Sequence, residues 1–249
     1  DTYLVSEGSE ARRSFLDNTL SQIDQGYLGQ LILYNKLLQQ RNALLKQFGE
    51  SRTYNAAMIE VYNMQMLEPA RLLHETRAGF MEQFRPILQE AYTQISGAAE
   101  TVDCTYRSKL SDTPFEALLN EAAEKDRLLQ RTTVGPHRDD LVFTISGYPL
   151  KRFASQGQLK SFVLSVKLAQ YQILAQKKKT FPILLLDDIF DKLDRQRVQH
   201  LLHLLQSQTF GQVFITDTEQ DRLAGIIQQT GQHFLVYEIQ DGTVNQITP

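Results

Sequence analysis

The stretch Phe181–Asp194, FPILLLDDIFDKLD, places the tightest limit on what this chain can fold into. Four apolar residues, Ile183 to Leu186, follow Pro182 and end in two adjacent carboxylates, Asp187 and Asp188. A run this short and apolar, bounded by polar residues, reads as a strand buried on both faces of a parallel sheet. In open α/β sheets, ligands gather beyond the carboxyl ends of the strands. A carboxylate there holds Mg²⁺ directly or through water, and Mg²⁺ commonly accompanies nucleotide phosphates. A second carboxylate beside it can orient or deprotonate an attacking water. Asp is also common where a strand simply enters a turn, so neighbouring motifs must separate the two readings.

The second half of the chain supports an α/β sheet. Residues 101–110 and 141–145 alternate as strands do, and Ser146-Gly147 predicts a hairpin turn. Thr113-Pro114-Phe115-Glu116 reads as a helix start, with Thr113 as N-cap and Glu116 closing a capping box; the helix runs to about Arg131. A helix over 158–176, the Asp-Asp strand, a helix over 195–206, a strand over 212–216, a helix to about 229 and a strand over 233–239 follow. Asp241-Gly242 is a second hairpin signal. Strands alternating with helices indicate an α/β sheet.

Residues 8–98 read as almost entirely helical. Tyr27, Leu31, Tyr34, Leu38, Arg41, Leu45 and Phe48 step by four and three, a heptad-like seam on a helix about 33 Å long. Gly49 and Ser51 signal its end. A second seam runs Ile59, Tyr62, Met66, Pro69, Leu73, Thr76, Phe80, in which Pro69, and Pro86 beyond it, should kink or break the helix. Two long helices joined by a short turn predict an antiparallel hairpin.

Composition bounds the partners. A net charge of −3 exerts no global pull on nucleic acid or anionic membrane, so any DNA contact has to come from a local patch. The single cysteine, Cys104, excludes an intramolecular disulfide and fits a reducing cytoplasm. It lies in an alternating stretch and reads as a packed thiol. No apolar run reaches transmembrane length.

Three features join the Asp-Asp strand. Ala154-Ser155-Gln156-Gly157-Gln158 precedes a long helix, where Ser155 can cap and free N–H groups favour an anion. Asp191-Lys192-Leu193-Asp194 follows the strand. Val213-Phe214-Ile215 ends in Thr216 and Asp217, on the same sheet edge as Asp187 and Asp188. Ser-x-Gly-Gln, a long helix, an apolar strand with two acids and then Leu-Asp resemble the ABC-type ATPase head. Gly8–Asp17, Gln40–Lys46, Gly135–Leu141, Ser155–Gln158 and Leu185–Phe190 narrow the resemblance to the RecF family of DNA replication and repair proteins.

The resemblance implies an α/β fold with a large helical lobe. Residues 1–98 would form the second lobe with its hairpin arm, and 99–249 part of an ABC-type ATPase lobe with a mostly parallel sheet. It implies that Ser155, Gln156, Gly157 and Gln158 are the signature that contacts ATP held by the opposite subunit. Gln156 stands where most ABC heads have a second Gly. Asp187 takes the Mg²⁺-associated position. Asp188 takes that of the general base, usually Glu, and the shorter side chain implies slow turnover. Asp194 closes the D-loop, Asp217 takes the switch position usually held by His, and Thr216 beside it is the hydroxyl that could substitute there. ATP and Mg²⁺ are the implied cofactors. DNA at gaps or junctions, an ATP-dependent homodimer and RecR- and RecO-type proteins are the implied partners, in the cytoplasm and with no membrane. No G-x-x-x-x-G-K-[ST] occurs, so the chain reads as a C-terminal portion not expected to bind or hydrolyse ATP alone. Two other classes compete: a non-catalytic dimerisation or partner-binding module, and the head of another ABC-type ATPase.

Weaker signals remain. His200 and His203 have metal-ligand spacing without further ligands. Arg12 and Arg13 read either as phosphate contacts or as helix-surface arginines paired with Glu7, Glu10 or Asp17. The Gly135–Leu141 motif carries no mechanism legible in the sequence.

Overall fold

The structure, a computed structural model, describes residues 3–187, 193–206, 210–218 and 235–247. Helix α1 (Tyr3–Ser6) leads into α2 (Ser9–Ile23), then α3 (Gln25–Ser51) and α4 (Ala56–Ser96). Strand β1 (Val102–Arg107), α5 (Phe115–Leu129), β2 (Asp140–Ile145), β3 (Tyr148–Pro149), α6 (Leu150–Phe153) and α7 (Gln156–Lys178) follow. The last described elements are β4 (Leu184–Asp187), α8 (Arg195–Gln206), β5 (Val213–Thr216), β6 (Val236–Gln240) and β7 (Thr243–Ile247). The helix expected to run to about 229 lies outside the described residues.

α3 and α4 form the hairpin. Asp24 caps α3 by accepting from Tyr27 N at 3.0 Å, and Asn55 caps α4 by accepting from Met58 N at 3.2 Å. Gly49 does not stop α3, which continues to Ser51 and closes on Arg52 in the left-handed conformation. Of the two seams, Tyr27, Tyr34, Arg41, Leu45, Phe48, Ile59, Met66, Pro69, Leu73 and Phe80 are buried. α4 runs unbroken through Pro69 and Pro86, against expectation. An interior proline costs about 3 kcal/mol. Burial of Met66, Ala70, Leu73 and Leu88, none of them measurably exposed, outweighs that by holding the helix on either side of the prolines against neighbouring elements.

The largest apolar cluster joins Phe15, Leu16, Phe84, Leu88, Phe143 and Phe162, drawn from both sides of residue 98. A second cluster packs α4, α7 and α8 (Ile95, Leu168, Val198, Leu201) against Leu184 and Leu186 of β4. β1, β2 and β3 form an antiparallel sheet, β4 and β5 pair in parallel, and β6 and β7 pair antiparallel. Both predicted hairpin turns form, with Ser146, Gly147, Asp241 and Gly242 all at positive φ, as a two-residue hairpin of this type requires.

Two local expectations fail. Among the described residues, β4 is covered on one face only: Leu184 and Leu186 are buried, whereas Leu185 is 71% exposed beside Phe214 on β5 at 48%. An unbroken apolar run does not reveal which of its faces has a helix against it. Thr113 does not cap α5; its N–H closes a turn onto Lys109 O at 3.2 Å, and Pro114 occupies the cap position without a side-chain bond.

Candidate functional site: the signature turn and the carboxyl ends of β4 and β5

Ser155 is the N-cap of α7. Its hydroxyl accepts from Gln158 N at 3.2 Å, and Gln158 Oε1 accepts from Ser155 N at 2.8 Å, a reciprocal capping box. Ser155 and Gln156 are exposed. The first-turn N–H groups of a 23-residue helix therefore meet solvent with their positive end outward, where an anion is favoured.

From Gln158 a polar chain leads to the far side of the site. Glu100 takes hydrogen bonds from Gln158, from Tyr92 Oη at 2.6 Å and from Arg197 Nη2 at 2.7 Å. Burial raises the Glu100 pKa, but these donors outweigh it and hold the carboxyl below its ordinary value. Arg197 Nη1 also donates to Ser161 Oγ at 2.9 Å, on the second turn of α7. Arg197 Nε lies 3.2 Å from Asp194 Oδ2, and Asp194 caps α8 by accepting from Arg197 N at 2.9 Å. One guanidinium thus ties Asp194 to the helix that Ser155 begins. Neither Glu100 nor Arg197 stands out in the sequence, since each lies outside any motif; the acid and its partner are 97 residues apart.

Asp187 and Thr216 are register partners at the ends of β4 and β5, and Thr216 Oγ1 donates to Asp187 Oδ1. Both are exposed, and Asp217 beside them is half-buried. A carboxylate and a hydroxyl at one strand end offer hard oxygen donors of the kind Mg²⁺ takes alongside water and phosphate. No cluster of three or more His, Cys, Asp or Glu occurs among the described residues. Asp188, the expected base, lies outside the described residues.

The remaining candidates have structural partners. His200 Nδ1 contacts Ile95 O at 3.2 Å and its ring fills the space beside Gly97; His203 points to solvent. Cys104 is buried, and that burial pushes its thiol pKa up. Arg12 pairs not with an acid of its own helix but with Asp140, Nε to Oδ1 at 2.7 Å. Arg13 Nη1 donates to Asp139 O at 2.8 Å.

Those contacts explain the Gly135–Leu141 motif as a buried polar hub. Gly135 has φ +118, and a Cβ there would sit 2.5 Å from Tyr34 Oη. Arg77, 2% exposed, donates to Pro136 O at 2.8 Å, Asp139 Oδ2 at 3.0 Å and Asp17 Oδ1 at 2.8 Å. Tyr106 Oη donates to Asp139 at 2.5 Å. Burial pulls the His137 pKa down to about 4, so the ring is neutral at pH 7. Its Nε2 donates to Thr132 O at 3.1 Å, leaving Nδ1 to accept from Tyr34 Oη at 2.7 Å. Arg41, of the Gln40–Lys46 stretch, makes a second buried knot with Asn63, Asp126 and Thr132, each at 2.7 or 2.8 Å.

No protein-family model matches the chain. Among curated proteins, it is 44% identical to the DNA replication and repair protein RecF of Flavobacterium johnsoniae, over 96% of this chain and 67% of that protein. It is 39% identical to RecF of Cytophaga hutchinsonii, over 100% of this chain and 66% of that protein. The chain thus spans about two thirds of the length of the relatives it matches. A solved structure of the recombination mediator protein RecF with ATP, from the RecFOR pathway, superposes with a TM-score of 0.80 at 26% identity, covering 99% of this chain and 65% of that one. The Smc head domain of Pyrococcus furiosus shares the fold at a TM-score of 0.50 and 15% identity, over 99% of this chain and 59% of that one. With 44% identity along nearly its whole length, this chain belongs to the RecF family.

Proposed function

We propose that this chain supplies the signature, Mg²⁺-associated and D-loop part of an ATP-dependent DNA clamp used in recombinational repair and replication-fork maintenance. The observation that carries the reading is the exposed, capped start of α7 on a chain that superposes along 99% of its length on RecF bound to ATP. ATP held by one subunit would meet Ser155, Gln156, Gly157 and Gln158 of the other, closing a homodimer on DNA. Asp187 and Thr216 would hold Mg²⁺, which when bound neutralises phosphate charge. Asp188 would act as base, Asp194 would sit at the dimer contact, and Asp217 would line the switch position. Residues 1–98 act as the arm-bearing lobe and 99–249 as part of the ATPase lobe. RecR- and RecO-type proteins are the partners this reading names, in the cytoplasm.

The test is Ser155→Arg in a RecF polypeptide that carries a P-loop ahead of this segment. ATP binding to one subunit should persist within about twofold, while dimerisation driven by a slowly hydrolysed ATP analogue, followed by light scattering, should vanish. A bulky cation at the helix start would block the γ-phosphate only across the interface. Normal dimerisation of this variant would defeat the assignment.

A further inference from the structure

The motif loop from Gly135 to Leu141 is fastened almost residue by residue. Gly135 is wedged against Tyr34 and Phe115, Pro136 O and Asp139 are held by Arg77, His137 by Tyr34 and Thr132, and Asp140 by Arg12. Arg138 is the exception. It is exposed, and among the described residues its side chain enters none of these bonds. The bolted loop fixes the backbone that carries Arg138, and its guanidinium reaches solvent from there.

A second guanidinium stands beside it. The bond from Arg13 Nη1 to Asp139 O puts Arg13 against the residue that follows Arg138. Arg13 is half-buried and has no carboxylate in ion-pair contact among the described residues, because Asp140 is taken by Arg12. Burial first, then the charge of Arg77 and, least of all, that of Arg138 lower the Arg13 pKa, while Asp140 and Glu10 raise it in part. Arg13 and the neighbouring Arg138 add positive charge at one end of the motif loop, where a further anion can be taken. Guanidinium forks match phosphate oxygens. In a chain of net charge −3, attraction to DNA has to be local, and this pair is a local source of it.

We propose that Arg138 and Arg13 form an oxyanion site that takes a phosphate of the DNA backbone, with the Gly135–Leu141 loop as its mount. The site itself stands on the geometry; only the DNA source of the phosphate rests on the clamp reading above. The other source of the same chemistry is a nucleotide phosphate. The experiment is a titration of the chain followed through the arginine Nε–Hε NMR signals, with inorganic phosphate, a duplex oligonucleotide and Mg²⁺-ATP in turn. Phosphate should shift the Arg138 and Arg13 signals together and saturably, and leave exposed Arg52 and Arg131 unmoved at the same concentration. Arg138→Lys, a surface change that keeps the charge, should lose most of the Arg13 shift. Equal shifts at all exposed arginines, or none that saturate, overturn the site. With the duplex, Arg138→Ala should reduce the slope of log K against log salt by about 0.9, the loss of one phosphate contact. A duplex bound with an unchanged slope overturns the inference and leaves the clamp reading intact. Mg²⁺-ATP moving both signals while the duplex moves neither overturns the DNA source. A chain that binds no duplex at any salt counts against the clamp reading of this segment, whatever inorganic phosphate does to the two signals.

Discussion

Replacing Arg77 by Met should be among the most damaging single changes in this chain. Met keeps an unbranched stem and removes the guanidinium. Arg77 and Asp139 are 2% and 3% exposed, and Asp17 is 18% exposed, so both acids lose their cation where water replaces it poorly. The bonds to Pro136 O at 2.8 Å and Tyr27 Oη at 3.0 Å go as well. Removing one partner of a buried ion pair costs about 3–5 kcal/mol, mainly through the charge left behind. At about 2–4 °C per kcal/mol for a chain of this size, Tm should fall by roughly 6–20 °C. Urea unfolding monitored by circular dichroism measures the difference.

The pH dependence separates a stranded charge from lost packing. The Asp139 carboxyl already has a raised pKa: burial is the largest cause, and Tyr106, Ser108 and Arg77 oppose it. Without Arg77 it rises further. A group whose folded pKa lies above its unfolded value contributes stability that is fully present below the unfolded pKa, about 4 for Asp, and lost as pH rises through the folded pKa. The deficit of Arg77→Met relative to the parent should therefore be largest at neutral pH and shrink toward pH 4. Adding Asp139→Asn to Arg77→Met should recover at least about 1 kcal/mol at pH 7, since it removes the stranded charge. A deficit under about 1 kcal/mol, or one that is flat from pH 7 to pH 4, would refute the reasoning.

Gly135→Ala should destabilise by at least about 2 kcal/mol, because φ of +118 is strained for Ala and its Cβ would press on Tyr34 Oη and Phe115; denaturant midpoints test it, and a neutral result would mean the loop can shift. Arg197→Ala should cost about 1–3 kcal/mol and lower the protection of α7 amides near Ser161 against hydrogen exchange, whereas a change confined to α8 would deny the link between the two helices. Leu185→Lys should reduce concentration-dependent self-association of the chain in sedimentation velocity, since Leu185, Ile183 and Phe214 expose 71%, 61% and 48% of their surface on one face of β4 and β5; unchanged association would place the sticky surface elsewhere.

What the sequence disclosed follows from where the information lies. Periodicity is local, so the two arm helices, both hairpin turns and the Ser155 cap could be read from neighbours three or four residues apart. The packing that carries α4 through Pro69 and Pro86 is not local, and neither is the choice of which β4 face is covered. The same limit hid the pairing of Arg12 with Asp140, 128 residues away, in favour of nearer acids. Expected roles for Asp187 and Thr216 needed only that two strands end at one edge, and their register puts them opposite each other.

The buried arginines show why family-specific motifs here need not be site residues. Arg41 lies in the α3 seam and Arg77 on the buried face of α4, at positions where an apolar residue would pack at less desolvation cost. Each gathers partners from distant segments: Arg41 from α4, α5 and the loop after it, Arg77 from α2, α3 and the motif loop. A hydrophobic side chain would tolerate several registers between a helical arm and the sheet beside it. A guanidinium bonded to three or four partners tolerates one, because any slip strands a charge. The hub at Arg77 is contiguous with Arg13 through Asp139, so the register it enforces between α2, α4 and the motif loop also sets Arg13 beside the loop backbone that carries Arg138. A sequence reader who treats every polar residue of a motif as a ligand contact would therefore assign Asp139 and His137 to a substrate. The residue to suspect is the one the hub leaves out, Arg138.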